Sequence, residues 1–273
     1  MTDTGLEPEG AEIIPILNDV GSVGKSATVH AVASILAEQG KSVLVADADS
    51  QANVTEHLGI EDPKWTIGDV MLGKVTPGDA AVESNLTNVW VIPSASSVKS
   101  DIVMMRHNLG SELKMKRALH ELTHLVDVIL IDCPGTLDDM GIAALVAAKS
   151  RFKDGPAWAL TCVQPTKKEI VGVPKLEEII FQVVDNYNPN LQLGGIVPCI
   201  VPADNQGQLY KDALALLRAS YGDLVTPPVR RSVKIPEAYS RQIPMIVHAP
   251  TEPTTKDLRA VVENLQARNI LPK

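Results

Sequence analysis

Seven short apolar runs, rich in β-branched residues, recur along the chain with helical patterns between them. They are IIPIL at 13–17, SVLVAD at 42–47, VWVIP at 89–93, VDVILID at 126–132, AWALTCV at 157–163, LGGIVPCIV at 193–201 and MIVH at 245–248. Helical patterns fall at 25–39, 111–124, 170–186, 206–220 and 254–267. A strand without polar alternation has to be covered on both faces, and strands separated by helices pair in parallel. The pattern predicts an α/β fold: a single-domain, doubly wound, mostly parallel sheet with helices on both faces, spanning 13–273. No internal repeat or long linker divides it. The opening MTDTGLEPEGAE, residues 1–12, is acidic with glycine and proline and reads as a disordered tail.

Only 3% of the 273 residues are aromatic, so the core has to be built from Val, Ile, Leu and Ala. A formal net charge of −8 argues against a generally basic nucleic-acid coat, though it leaves room for a local basic patch. Cys133, Cys162 and Cys199 have no paired spacing, which speaks against a disulfide frame or a four-cysteine metal site. No apolar run approaches the ~20 residues of a membrane span, and no signal peptide opens the chain. A cytoplasmic protein without membrane attachment is expected.

Ligands of such sheets sit beyond the carboxyl ends of the strands. Three strands end there in distinctive chemistry. The first leads into LNDVGSVGKSATVH, 17–30, which ends its loop in Gly-Lys-Ser but has Asp19 where the usual phosphate loop has its first glycine. Its glycines let backbone N–H groups curl around phosphate, and the following helix adds its positive N-terminus. Lys25 would reach the β- and γ-phosphates, and the Ser26 hydroxyl would ligate Mg²⁺. The second strand leads into DADSQANVT, where Asp47 and Asp49, two apart, are expected to point the same way. The fourth, ILIDCPG, ends in Asp132, suited to holding magnesium through water. Each feature alone has a plain structural reading, as a helix entry or a cap. Their order and spacing together point to a nucleotide site.

These residues resemble the ParA/MinD group, ATPases whose deviant phosphate loop reads Lys-Gly-Gly-Val-Gly-Lys-Thr-Thr. Here that stretch is Val20-Gly21-Ser22-Val23-Gly24-Lys25-Ser26-Ala27. VADADSQANVTEHLG is similar to the family's Asp-x-Asp-Pro-Gln-x-Asn-x-Thr segment, and VDVILIDCPG to its Asp-Tyr-x-x-Ile-Asp-Cys-Pro-Pro. WTIGDVMLG, VWVIPSAS, VQPTKKEIVGVPKL and RRSVKIPEAYSRQIPMIVHAP follow in the family's order, so the resemblance covers nearly all of the chain after residue 12. It is nearest to the ParA proteins that partition plasmids or chromosomes.

The resemblance implies ATP and Mg²⁺ bound at 21–27, with Asp49 orienting the attacking water and Asp132 behind the metal. It implies slow hydrolysis, an ATP-sandwiched homodimer that binds DNA without sequence specificity, and a ParB-like centromere-binding partner that stimulates hydrolysis. Such a protein would be cytoplasmic and nucleoid-associated. Three of the departures from the family bear on the argument. Ser22 replaces a loop glycine, Ser50 replaces the proline after Asp49, and Val20 stands where the family has a lysine that crosses the dimer interface to the partner's phosphates. An apolar side chain cannot supply that charge, so a weakened dimer is expected unless another cation, such as Lys167 or Lys168, replaces it.

Arg230, Arg231 and Lys234, with Arg241, form the densest positive run. They are candidates for phosphate contacts to DNA, or for a solvated lip over the nucleotide base. HELTH, 120–124, fits a zinc-protease motif by letter, but a strand begins too soon after it for a continued helix with a third ligand. Cys133 reads as a small buried residue rather than a nucleophile. Partition is the leading function. The alternatives are a MinD-like membrane cycler, a metabolic ATP-dependent enzyme on the same fold, and a nucleotide switch with weak or no hydrolysis. The mixed charge of the C-terminal LRAVVENLQARNILPK speaks against the membrane cycler.

Overall fold

The computed structural model describes residues 8–106, 109–166, 172–202 and 207–273. Seven strands form one sheet: β1 (Glu12–Leu17), β2 (Val43–Asp47), β3 (Val82–Glu83), β4 (Val89–Ile92), β5 (Val128–Asp132), β6 (Ala157–Val163) and β7 (Leu191–Pro198). Their order is β3-β4-β2-β5-β1-β6-β7. All neighbours are parallel except β3, which pairs antiparallel with β4 at the edge. The expected doubly wound sheet is the observed fold.

Because side chains alternate along a strand, each apolar run feeds two cores. Ile13, Leu17, Leu44, Ala46, Ile129 and Ile131 enter one hydrophobic cluster, packed with residues of the helices Lys114–His120, Asp139–Ala147 and Gly172–Asn186. Ile14, Ile16, Val43, Val45, Val128 and Leu130 enter the other, under the helices Lys25–Glu38 and Pro253–Ala267. A continuous run of branched residues is what a strand buried on both faces requires.

The run MIVH does not form a strand. It is a single helical turn, Met245–His248, entered from Pro244, with Met245 and Ile246 buried in the second core and Val247 exposed. A four-residue apolar run carries no decisive period, and burial on a helix-covered face needs only two of its side chains. β3 carries no apolar run, because it is only two residues long and both Val82 and Glu83 are exposed. Part of the expected tail 1–12 is bound into the fold, and residues 1–7 lie outside the described residues. Glu9 donates its N–H to the Arg151 carbonyl at 2.8 Å and Ala11 to the Thr123 carbonyl at 2.6 Å, and Ala11 and Glu12 are buried. Backbone pairing, to which composition is blind, fixes these residues.

The apolar residues Leu258, Val261, Val262 and Leu265 of the C-terminal helix are buried in the second core. Among the described residues, no helix is long and apolar enough to cross a membrane. The helix Lys114–His120 stops at His120, whose Nε2 lies 3.2 Å from the Ala147 carbonyl oxygen, so HELTH is not one helical face. No described group of three His, Cys, Asp or Glu side chains could hold a metal ion.

Candidate nucleotide-binding site

The loops after β1, β2 and β5 converge on one cleft of about 960 Å³. β1 sits between β5 and β6, and the chain leaves it toward β2 on one side and later crosses to β6 on the other. This reversal opens a crevice above the strand ends, where the fold places ligands.

The 18–24 loop turns tightly into the helix Lys25–Glu38. Ser22 has φ 61° and Gly24 φ 97°, both left-handed. Glycine meets the second demand freely, and a Cβ at Gly24 would also come within 3.0 Å of the Cys199 Cβ. Ser22 meets the first at a cost of about 1–2 kcal/mol. Gly135 presses on the loop from the β5 side, where an added Cβ would lie 2.9 Å from the Gly21 Cα. Gly21, Ser22, Gly24, Lys25, Ser26 and Ala27 all line the cleft, whereas the Val23 side chain is buried in the second core.

Lys25 is buried, and its Nζ donates to the Val20 carbonyl of its own loop at 3.1 Å. A buried ammonium with a single backbone partner is poised to take a stronger anionic acceptor. The Val20 side chain packs against the second core. Beside the loop, Lys175 forms an ion pair with Asp19. Lys167 and Lys168 lie outside the described residues.

Ser26 Oγ donates to Asp132 Oδ2 at 2.7 Å, while the buried Oδ1 has no hydrogen-bond partner among the described residues. Burial and the neighbouring Asp47 push the Asp132 carboxyl well above the usual range, opposed by the Ser26 hydrogen bond. A wholly buried carboxylate beside a second acid, with one oxygen unsatisfied, calls for a cation. The donor set of Ser26 and Asp132 under a phosphate loop fits Mg²⁺ with a nucleoside triphosphate.

Asp47 and Asp49 do not point the same way, contrary to expectation. β2 ends at Asp47, so the two-residue alternation ends there too. Asp47 is wholly buried and accepts from the Thr55 N–H at 2.9 Å, the Thr55 hydroxyl at 2.7 Å and the Asp49 N–H at 3.1 Å. Burial, the larger influence, raises its pKa to about 6 despite these bonds. Asp49 instead lines the cleft. Ser50, Gln51, Asn53 and His57 follow it along the same wall, with the His57 ring stacked on Tyr239 at 3.8 Å between centroids.

Arg230 and Arg231 form the far lip, whereas Lys234 and Arg241 do not line the cleft. Arg230 reaches Asp257 through Nε at 2.6 Å and Nη2 at 2.9 Å, and Lys234 pairs with Glu237 at 2.7 Å. The contribution of His57 and Tyr239 was not legible in the sequence, because only packing brings residues 182 positions apart together. The 134–138 loop was half visible: Pro134 and Gly135 close the quoted ILIDCPG stretch, and Asp138, capping the next helix, adds to the same wall.

A family model described as an AAA domain matches residues 11–193. The chain is 28% identical over 241 residues to the chromosome partitioning protein ParA of Caulobacter vibrioides, covering 86% of each protein. It is 29% identical over 243 residues to the sporulation initiation inhibitor protein Soj of Bacillus subtilis, covering 88% of this chain and 92% of Soj. The chain belongs to the ParA/MinD family of ATPases. The fold also matches, with a TM-score of 0.80 and 25% identity, a cobyrinic acid a,c-diamide synthase of Mycobacterium smegmatis with bound ATP analog and magnesium; the match covers 94% of this chain and 95% of that one. ATP and Mg²⁺ fit the cleft that the 21–27 loop lines, where Ser26 donates to Asp132.

Proposed function

We propose that this protein is a ParA-type partition ATPase. It binds Mg²⁺-ATP, hydrolyses it slowly, binds DNA without sequence preference in the ATP state, and segregates a plasmid or chromosome with a ParB-like partner. The observation that carries the reading is one cleft lined by Lys25, Ser26 and Asp49 at one wall and by Arg230 and Arg231 at the other. Nucleotide occupancy and a basic surface are then neighbours.

Within that cleft, Lys25 exchanges the Val20 carbonyl for phosphate oxygen, and the loop N–H groups hold the remaining phosphate charge. Ser26 and Asp132 hold the metal, which neutralises phosphate charge when bound. Asp49 gives its backbone N–H to the network that fixes Asp47, and its carboxylate orients water at the cleft wall. Arg231 and its neighbours contact DNA phosphates. The burial of the C-terminal helix's apolar residues favours this reading over a membrane cycle driven by that helix.

The test is DNA binding by the purified protein with ATP, with ADP and without nucleotide, at several salt concentrations. ATP-dependent, sequence-independent binding that weakens steeply with salt is expected. Binding that ignores nucleotide would overturn the reading.

A further inference from the structure

Beneath the phosphate loop lies a cluster that nucleotide chemistry does not use. Cys162 on β6 and Cys199, just beyond β7, are free thiols, 0% and 3% exposed. Thr28, in the first turn of the loop's helix, lies between them: its Oγ1 is 3.4 Å from the Cys162 Sγ and 3.6 Å from the Cys199 Sγ. Cys162 is the register partner of Val197, two residues before Cys199, and all three side chains enter the second core. Cys199 also backs the phosphate loop. It lines the cleft, and its Sγ lies 3.3 Å from where a Gly24 Cβ would stand.

We propose that Cys162 and Cys199 are a modification site, a thiol pair that hydrogen peroxide closes into a disulfide, shutting the nucleotide cleft. The inference goes beyond the partition reading and needs only that the cleft binds nucleotide. Peroxide entering from the cleft meets Cys199. Its sulfur takes one peroxide oxygen as a sulfenic acid, the O–O bond breaks and one water leaves. The Cys162 sulfur then attacks the Cys199 sulfur, the S–O bond breaks, and a second water carries away the remaining thiol hydrogen. Two thiols and one peroxide thus give one disulfide and two waters.

The consequence follows from position. A disulfide fixes its sulfurs at about 2.05 Å with a narrow range of dihedrals, and a diagonal strand pair reaches that geometry only if its backbone moves. The end that moves bears on Gly24, whose φ of 97° shapes the loop. Cys133 serves as an internal control. It is wholly buried in the opposite hydrophobic cluster and does not line the cleft.

The experiment treats the reduced full-length protein with hydrogen peroxide, with and without prior Mg²⁺-ATP. It then maps alkylated peptides and measures binding of a fluorescent ATP analogue. A Cys162–Cys199 linked peptide is expected, with affinity lowered about tenfold or more and restored by dithiothreitol. Bound nucleotide should slow the linkage by covering Cys199. Cys162→Ser should keep its affinity under the same dose. Failure of the linked peptide to form, linkage that leaves affinity unchanged, or equal loss in Cys162→Ser would overturn the proposal. The wild-type map and its reversal by dithiothreitol decide the matter even where the variant does not fold.

Discussion

Asp47 and Asp132 are register partners on adjacent parallel strands, both wholly buried, yet their carboxylates serve different ends. Asp132 accepts from Ser26 and keeps an open oxygen, whereas Asp47 is spent on Thr55 and on the backbone that presents Asp49. Asp47→Ala should therefore act on stability. It strands the Thr55 N–H and hydroxyl, at about 1–3 kcal/mol for each buried group left unpaired. Asp49→Ala should leave stability and ATP affinity near wild type and abolish turnover. Thermal melts and single-turnover hydrolysis separate the two; equal losses of stability in both would contradict the division.

Lys25→Ala should remove most ATP affinity. On the proposed reading the ammonium gives up the Val20 carbonyl for phosphate, a charge-assisted contact of about 1.5–3 kcal/mol. Calorimetry should show a loss of about ten- to hundredfold. Unchanged affinity would remove Lys25 from the site.

The basic lip should be uneven. Arg230 is held by Asp257, so Arg231→Ala should lower the salt slope of DNA binding by about one unit and Arg230→Ala by less. Both should act about equally across DNA sequences. ATP affinity is measured in parallel, because both residues line the cleft. A slope unaltered by either change would put the DNA surface elsewhere.

Val20 should limit dimerisation. Two missing crossing lysines correspond to roughly 3–6 kcal/mol, or two to four powers of ten in dimer affinity. Light scattering of Asp49→Ala with ATP should show a weak dimer that Val20→Lys strengthens. A dimer insensitive to that change would mean that the protomers meet differently.

Glu12 should give the fold a pH dependence. Burial lifts its pKa from 4.5 to about 8, against the opposing pull of Arg151 3.5 Å away. A raised carboxyl pKa means that the folded state holds a proton the unfolded chain releases. Its stabilisation is complete below about 4.5 and is lost as the pH climbs through about 8, a change of roughly 3–5 kcal/mol. Denaturant melts should show stability falling over that window, and Glu12→Gln should flatten the fall. An identical slope in the variant would show that Glu12 does not titrate on folding.

Local chemistry accounts for what could be read in advance. Unbroken β-branched runs announce strands covered on both faces, because branched side chains pack well on a pleated strand and the helices between the runs supply the cover. Gly24-Lys25-Ser26 and Asp132 point to the proposed phosphate and metal chemistry, because the atoms it needs belong to the residues that carry the pattern. MIVH misled because four apolar residues suit a turn of helix as well as a strand.

The sequence by itself determined the parallel α/β sheet, the phosphate loop and the acids beside it, since hydrophobic period and turn chemistry are written within a few consecutive residues. Only the tertiary structure decided which acid faces the cleft and which is locked to Thr55, because the turn after β2 reverses the direction the strand had set. It also decided that Tyr239 stacks on His57, that Arg230 meets Asp257, and that Cys162 and Cys199 share Thr28 beneath Gly24. These pairings join residues dozens to nearly two hundred positions apart. Their proximity comes from burying two apolar faces at once, which no local pattern encodes.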